Sequence, residues 1–150
     1  MTYARAAGAP RRGMLDHLVG FHLRRAQQKL FQHFRKTFQA QGISPGQAGI
    51  LILVHNNPGL SQAALARALN IERATLGEVL DGLASRGWIQ RRTTTRDRRA
   101  KALYLSPEGT RFLEGVLPRI EAHEQAVVHN LTARESAQLI RLLRKFVDGL

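Results

Sequence analysis

One stretch of the chain, residues 61–105, decides the fold: SQAALARALN IERATLGEVL DGLASRGWIQ RRTTTRDRRA KALYL. Ser61 is a good N-cap for a short helix, and Asn70-Ile71 predicts a tight turn after that helix. A second helix follows from Glu72 to Arg86, and Gly87 can supply the left-handed residue that commonly ends a helix. The inner faces of the two helices carry Ala64, Leu65, Leu69, Leu76, Val79, Leu80 and Leu83. Because these residues recur at helical spacing, the stretch predicts two short helices joined by a tight turn.

A basic hairpin is predicted directly after the two helices. Trp88–Arg92 and Ala102–Leu105 are short apolar segments that predict antiparallel strands, and Thr94–Arg99 forms the loop between them. Two helices followed by such a hairpin predict a winged helix-turn-helix. In that motif the second helix enters the major groove of DNA. The hairpin reaches the neighbouring minor groove, where the focused negative potential favours arginine.

Two helices are predicted before this stretch. Apolar residues recur at helical spacing from Leu15 to about Ala40, which predicts one long helix that Gly42 ends. Ser44-Pro45-Gly46-Gln47 then opens a second helix with a capping box and a proline at the first helical position. Asn57-Pro58-Gly59 ends that helix.

Two further helices are predicted after the hairpin. Ser106-Pro107-Glu108 starts a helix that runs to about Asn130, and Pro118 is expected to bend it. Thr132 to Glu135 forms another capping box. The last helix carries the apolar residues Leu139, Leu142, Leu143, Phe146 and Val147. The order α-α-α-α-β-β-α-α predicts a mainly α fold with a small β-hairpin wing.

The charge of the chain favours a polyanionic partner. Lys and Arg total 23 against 11 acidic residues, which gives a formal net charge of +12. Seven basic residues and one acid lie between Arg86 and Lys101, and five basic residues and no acid lie between Arg24 and Lys36. From Pro107 onward the charges are nearly balanced. Clustering of this kind indicates a nucleic-acid face.

Several classes of protein are excluded by the composition. With no cysteine, the chain has neither disulfides nor thiolate metal sites. It contains no phosphate-binding loop, dinucleotide fingerprint, nucleophile elbow or metalloprotease motif, so neither an enzyme nor a cofactor is predicted. No metal site is predicted either, because the histidines form no ligand cluster at usable spacing. Without a membrane-length apolar run or a signal core, the predicted location is the cytoplasm.

An ordered set of motifs resembles the MarR family of transcriptional regulators, and the resemblance covers nearly all of the chain. The matching motifs are Ser61-Gln62-Ala63-Ala64-Leu65-Ala66 to Leu69, Arg73-Ala74-Thr75-Leu76, Leu80-Asp81-Gly82-Leu83, Arg86-Gly87-Trp88-Ile89, Arg96-Asp97-Arg98-Arg99-Ala100-Lys101 and Leu105-Ser106-Pro107-Glu108-Gly109. The resemblance implies a homodimer that binds a pseudo-palindromic operator in duplex DNA.

The resemblance also implies a division of the chain and roles for individual residues. A flexible basic tail is expected over residues 1–13, dimerisation helices over 14–42 and 107–150, and a DNA-binding lobe over 43–106, all within one integrated domain 14–150. Asp97 matches the wing residue that holds Arg99 for insertion into the minor groove. The residues expected to meet DNA are Ser61, Gln62, Arg73, Ala74, Thr75, Glu78, Arg96, Asp97, Arg98, Arg99 and Lys101.

The chain departs from the family pattern at two places. Thr94 stands where the family often has an aspartate two residues before the first wing arginine. Gly77-Glu78 stands where the recognition helix often has Thr-Arg. Glu78 is able to accept a hydrogen bond from a cytosine amino group.

The resemblance further implies a repressor released by a small, anionic or aromatic molecule, which includes acyl coenzyme A esters. The candidate ligand-binding residues are His22, Arg24, Arg25 and His55. Two alternatives stay open. One is an architectural DNA-binding protein without a sensing function, and the other is a basic RNA-binding protein.

Overall fold

The computed structural model describes residues 10–93 and 101–150. A short 3₁₀ helix, Gly13–His17, precedes all other elements. The remaining elements in chain order are α1 Val19–Thr37, α2 Pro45–Asn56, β1 Leu60–Ser61, α3 Gln62–Leu69, α4 Arg73–Ser85, β2 Ile89–Thr93, β3 Lys101–Leu105, α5 Pro107–Val127 and α6 Ala133–Asp148. The predicted mainly α fold with a small β wing is therefore confirmed.

The sheet has one strand more than the sequence predicts. Its order is β1-β3-β2, and both pairings are antiparallel. Leu103 pairs with Arg91 on one side and with Leu60 of β1 on the other. Two residues are too short a run to show the alternation of apolar and polar residues by which strands are predicted. β1 ties the start of α3 to the hairpin.

The N-terminal helix is not the single long helix that the apolar spacing predicts. Leu18 has extended backbone angles, φ −91° and ψ 114°, and separates the 3₁₀ turn from α1. The Nε2 atom of His22 lies 2.9 Å from the carbonyl oxygen of Asp16, which the break leaves outside the helix. Apolar periodicity missed the break because both flanking segments keep their apolar residues.

Three predicted helix starts are confirmed by their cap hydrogen bonds. The Ser44 Oγ atom accepts from the Gln47 amide at 3.2 Å, and the Gln47 side chain accepts from the Ser44 amide at 3.0 Å. The Ser61 Oγ atom accepts from the Ala64 amide at 3.1 Å. Thr132 donates its backbone N–H to Glu135 at 2.8 Å. This hydrogen bond lowers the pKa of Glu135 from its ordinary value.

The core lies where α2, α4, β3 and α5 meet. Its largest fully buried side chains are Phe38, Ile50, Leu51, Val54, Leu65, Leu76, Leu80, Leu83, Leu103 and Leu113. These residues belong mainly to the lobe that carries the helix pair and the hairpin. None of the described helices combines the length and apolar character that crossing a lipid bilayer requires.

The terminal helices keep much of their apolar surface exposed in the single chain. On α6, Leu139, Leu142 and Phe146 are 45%, 46% and 43% exposed, although their spacing is that of a buried helix face. Val19 at the start of α1 is also exposed. The sequence correctly identifies these side chains as an apolar face, but the chain does not cover that face itself.

Candidate nucleic-acid interface

The helix pair presents the first turn of α4 to solvent. Asn70 adopts the left-handed conformation, with φ 50°, between α3 and α4, a conformation that asparagine tolerates better than most residues. The side chains of Arg73, Ala74 and Thr75 are all exposed, whereas Leu76 is buried in the core. Three of the predicted DNA-binding residues therefore share one exposed turn.

A cationic cleft of about 550 Å³ lies beside α4. It is lined by Ser61, Gln62, Ala63, Arg73, Gly77, Asp81, Arg91 and Lys101. The structure thus brings together residues from β1, α3, α4, β2 and β3. Four of them were predicted from the sequence, namely Ser61, Gln62, Arg73 and Lys101.

Arg91 and Asp81 are the site residues that the sequence analysis missed. The Nη1 atom of Arg91 donates to the Asp81 carboxylate at 2.6 Å, and its Nη2 atom donates to the Gly77 carbonyl at 3.3 Å. The buried Nε atom of Arg91 has no hydrogen-bond partner among the described residues. These contacts fasten the wing strand β2 to the recognition helix α4. The basic run includes Arg91 and so indicated its charge, but no sequence pattern near Arg91 indicated that its side chain contacts α4.

The wing is described only at its base. Thr93 in β2 pairs with Lys101 in β3, and both are exposed. The predicted wing residues Arg96, Asp97, Arg98 and Arg99 lie outside the described residues. Glu78 lies exposed on α4, one residue beyond Gly77.

The four candidate ligand-binding residues lie towards the N-terminal end of α1 and the C-terminal end of α2. The guanidinium of Arg25 lies 5.5 Å from the centre of the Phe21 ring, and Arg24 and His22 are exposed nearby. His55 is exposed near the end of α2. The structure does not bring these residues to the cavity described next.

A cavity of about 590 Å³ lies between the second half of α1 and the start of α2, and we call it the loop-side cavity. Its lining is Phe31, Gln32, Arg35, Lys36, Phe38, Gln39, Gly42, Ile43, Ser44 and Gln47. A smaller cavity of about 420 Å³ between α1 and α5 is lined by Lys29, Leu30, Gln32, His33, Lys36, Ala126 and Val127. The loop-side cavity therefore combines aromatic rings with the cations Arg35 and Lys36.

Two histidines that the sequence did not connect lie together between α1 and α5. The rings of His33 and His123 have centroids 4.8 Å apart. His123 is only 8% exposed, and its Nε2 atom has no hydrogen-bond partner in the described part of the chain. Burial, and next the neighbouring His33, lower the pKa of His123 from its ordinary value, whereas Glu124 raises it. Within residues 10–93 and 101–150 no group of three possible ligands is placed to hold a metal ion.

An exposed recognition-helix turn beside a cationic cleft and a hairpin defines a winged helix-turn-helix DNA-binding protein. The pattern of the MarR family matches residues 43–101. A protein of Thauera aromatica, named for regulation of the hcr operon, is 37% identical over 89% of this chain and 81% of its own length. The chain therefore belongs to the MarR family, whose members are transcription regulators and not enzymes.

Other relatives agree with this assignment. The transcriptional repressor YetL of Bacillus subtilis is 31% identical over 87% of this chain and 77% of its own length. The repressor CouR, solved with a 23-mer DNA duplex, superimposes with a TM-score of 0.88 at 28% identity, covering 93% of this chain and 99% of CouR. BpsR of Bordetella bronchiseptica, whose DNA binding is regulated by 6-hydroxynicotinic acid, gives a TM-score of 0.84 at 26% identity, over 93% and 99% of the two chains.

Proposed function

We propose that this protein is a sequence-specific, homodimeric transcriptional repressor, released from its operator by a small aromatic anion or its coenzyme A thioester. The observation that carries the proposal is the cationic cleft, where Ser61, Gln62, Arg73 and Lys101 converge beside the exposed first turn of α4. A regulator of transcription acts on DNA, so we place it in the cytoplasm.

The geometry suits a duplex. The first turn of α4 enters the major groove, where Arg73 and Thr75 reach base edges or phosphates. Lys101 at the base of the wing lies on the side of the neighbouring backbone. The wing residues Arg96, Arg98 and Arg99 follow the minor groove, and Asp97 directs Arg99 into it.

A dimer follows from the exposed apolar face of α6 and the start of α1. Two recognition helices related by a two-fold axis read half-sites about 34–36 Å apart, one turn of the duplex. Only the correct spacing of the two lobes lets both helices bind at once. A ligand that favours another spacing therefore releases the dimer from the operator.

The loop-side cavity is the ligand site that the chemistry favours. Arg35 and Lys36 supply positive charge for a carboxylate or a phosphate, and Phe31 and Phe38 supply apolar surface for a ring. The regulation of BpsR by an aromatic carboxylic acid supports this class of ligand. The candidates His22, Arg24, Arg25 and His55 stay predictions for the N-terminal half of α1 and the end of α2.

The ligand is tested with benzoate, 6-hydroxynicotinate and benzoyl coenzyme A as probes. A ligand of the folded dimer raises the melting temperature as its concentration rises, and the same compound has to weaken operator binding. Exchange of both Arg35 and Lys36 for glutamine should abolish the stabilisation. Lys29→Gln is the matched control, because Lys29 lines only the smaller cavity.

The operator arm of the experiment separates the proposal from its alternatives. A duplex selected by the protein from a random-sequence pool should bind far more tightly than a scrambled duplex at physiological salt. Affinity for both should fall steeply with salt, because each contacted phosphate releases counterions. Equal affinity for the two duplexes would favour the architectural protein. Tighter binding to RNA of the same sequence would favour the RNA-binding alternative.

A further inference from the structure

Arg86 is the first residue of the basic run and is exposed, but the protein itself binds its guanidinium. It follows the last residue of α4 and serves as the C-cap of that helix. Its Nη1 atom donates to the Gly42 carbonyl at 2.7 Å, and its Nη2 atom donates to the Gln41 carbonyl at 3.1 Å. Both acceptors belong to the loop between α1 and α2, more than 40 residues away in the sequence.

The same guanidinium is held on its face by an aromatic stack. Its Cζ atom lies 3.7 Å from the centre of the Trp88 ring. Trp88 in turn stacks on Phe112 of α5, with centroids 3.7 Å apart and planes inclined by 17°. Trp88 is only 7% exposed. Arg86 is therefore held by two carbonyl oxygens and one indole of the protein itself.

Arginine suits this place for a specific reason. Its planar guanidinium donates two directed hydrogen bonds and stacks on a ring at the same time, whereas the ammonium of lysine is a point charge on a flexible stem. Gly42 has φ +58°, and a Cβ atom there would lie 3.5 Å from Nη2 of Arg86. That distance is an ordinary van der Waals contact, so it is the left-handed backbone that favours glycine at the residue whose carbonyl binds Arg86.

We propose that Arg86 is a positioning residue for DNA binding, which fixes the C-terminal end of the recognition helix α4 to the α1–α2 loop. Apart from this contact, α4 packs chiefly on α3 and β2, within its own lobe. The contact joins the lobe to the loop that follows α1. Gly42 and Ile43 of that loop also line the loop-side cavity. Resting on the proposed function, we infer that a ligand in this cavity changes DNA affinity through Arg86.

The first arm of the experiment compares three variants on the selected operator duplex: Arg86→Lys, Arg86→Gln and the control Arg111→Lys. Arg111 is exposed on α5, and the control variant makes the same exchange of arginine for lysine. Both Arg86 variants should bind about tenfold more weakly, since they lose hydrogen bonds from a charged donor. The control should bind like the parent. Amide hydrogens at the C-terminal end of α4 should exchange faster in both Arg86 variants.

The salt dependence distinguishes positioning from a direct phosphate contact. If Arg86 touched phosphate, Arg86→Lys would preserve operator binding. Arg86→Gln would then make the negative slope of log affinity against log salt shallower by about 0.9. If Arg86 is a positioning residue, Arg86→Lys should weaken operator binding as much as Arg86→Gln does. Neither variant should change the slope of log affinity against log salt. Parent-like affinity of Arg86→Lys overturns the proposal. A melting temperature so low that unfolding accounts for the lost affinity overturns it as well.

The second arm of the experiment places an aromatic acid covalently in the loop-side cavity, so the natural ligand does not have to be identified. Because the chain has no cysteine, Gln39→Cys introduces a single thiol into the lining of the loop-side cavity. Its reaction with 5,5′-dithiobis(2-nitrobenzoate) forms a mixed disulfide and releases one thionitrobenzoate per chain. The attached aromatic acid should weaken operator binding about tenfold in the Arg86 protein, and much less when Arg86→Lys is combined with it.

The two arms of the experiment test the ligand site and the role of Arg86 separately. If the attached acid leaves operator binding unchanged while Arg86→Lys weakens it, the cavity assigned under the proposed function is wrong and the positioning role stands. If the acid weakens binding equally with Arg86 and with lysine at this position, the transmission through Arg86 is wrong and the ligand site stands.

Discussion

The imidazole of His33 in α1 lies 4.8 Å from that of His123 in α5, measured between ring centroids. His123 also contacts the rings of Phe34 and Phe38, at 5.2 and 6.0 Å. The carboxylate of Glu124 acts on His123 from the next position in the chain, and the guanidinium of Arg119 lies 6.0 Å from the Phe38 ring. A proton on His123 would thus be placed in apolar surroundings, beside a second imidazole.

This relationship predicts that the protein loses stability in mild acid. The pKa of His123 in the folded chain is lowered from 6.5 by burial and by His33. Below pH 6.5 the unfolded chain therefore binds a proton that the folded chain does not bind, and the free energy of unfolding falls as pH falls towards the lowered pKa. Denaturant unfolding between pH 7.5 and 5 measures the slope.

His123→Gln should flatten this dependence even if it changes the stability at pH 7.5. His55→Gln is the control, because His55 is exposed, and it should keep the parent's slope. An unchanged slope in His123→Gln would show that another group is responsible.

The apolar face of α6 predicts that a single acidic substitution disrupts the dimer. Phe146 is 43% exposed in the single chain, so burying the remaining surface of its ring in a dimer would stabilise association by about 1 kcal/mol per protomer. In a two-fold dimer the loss is counted twice. Phe146→Asp should shift the mass found by light scattering at micromolar concentration from dimer towards monomer. Gln138→Asp, at an exposed polar position of α6, should remain dimeric, and a parent that is monomeric would refute the dimer itself.

The contact between Arg91 and Asp81 predicts an effect on specificity. Asp81 is the carboxylate in the cationic cleft, and its side chain is 68% exposed, so the pair contributes at most about 1 kcal/mol to stability. Asp81→Asn removes a negative charge near phosphate and loosens the hold of Arg91 on α4. Affinity for a scrambled duplex should rise, and the ratio of operator to scrambled affinity should fall. Asp148→Asn at the end of α6 controls for the change in net charge, and a ratio equal to the parent's would exclude this role.

The wing predicts a separation of DNA affinity from stability. Arg99→Ala should cost about 1–3 kcal/mol of operator affinity, the usual scale of a specific contact. Its melting temperature should stay close to the parent's, because Arg99 is proposed to act on DNA and surface charges in general contribute little to folding. Asp97→Ala should cost less, since it removes the partner that orients Arg99 but also a negative charge near phosphate. Normal operator binding by Arg99→Ala would contradict the minor-groove role, and a drop of many degrees in melting temperature would make Arg99 structural.

The sequence by itself determined most of the elements and their order, but neither β1 nor the break at Leu18. Capping boxes at Ser44 and Thr132, the tight turn at Asn70 and the apolar spacing of α4 are local features, because each depends on residues within one or two helical turns. The basic hairpin and the family motifs were sufficient to predict that the turn at Arg73 lies on the recognition helix. The spacing of apolar residues was sufficient to identify the apolar face of α6.

Only the tertiary structure decided which distant residues meet. Arg86 belongs to the same basic run as Lys101, yet it binds the carbonyl of Gly42, whereas Lys101 lines the cationic cleft. His33 and His123 are 90 positions apart and meet only because α1 packs on α5. Such contacts depend on how whole elements pack, and charge or periodicity along the chain does not encode the direction in which a long side chain turns.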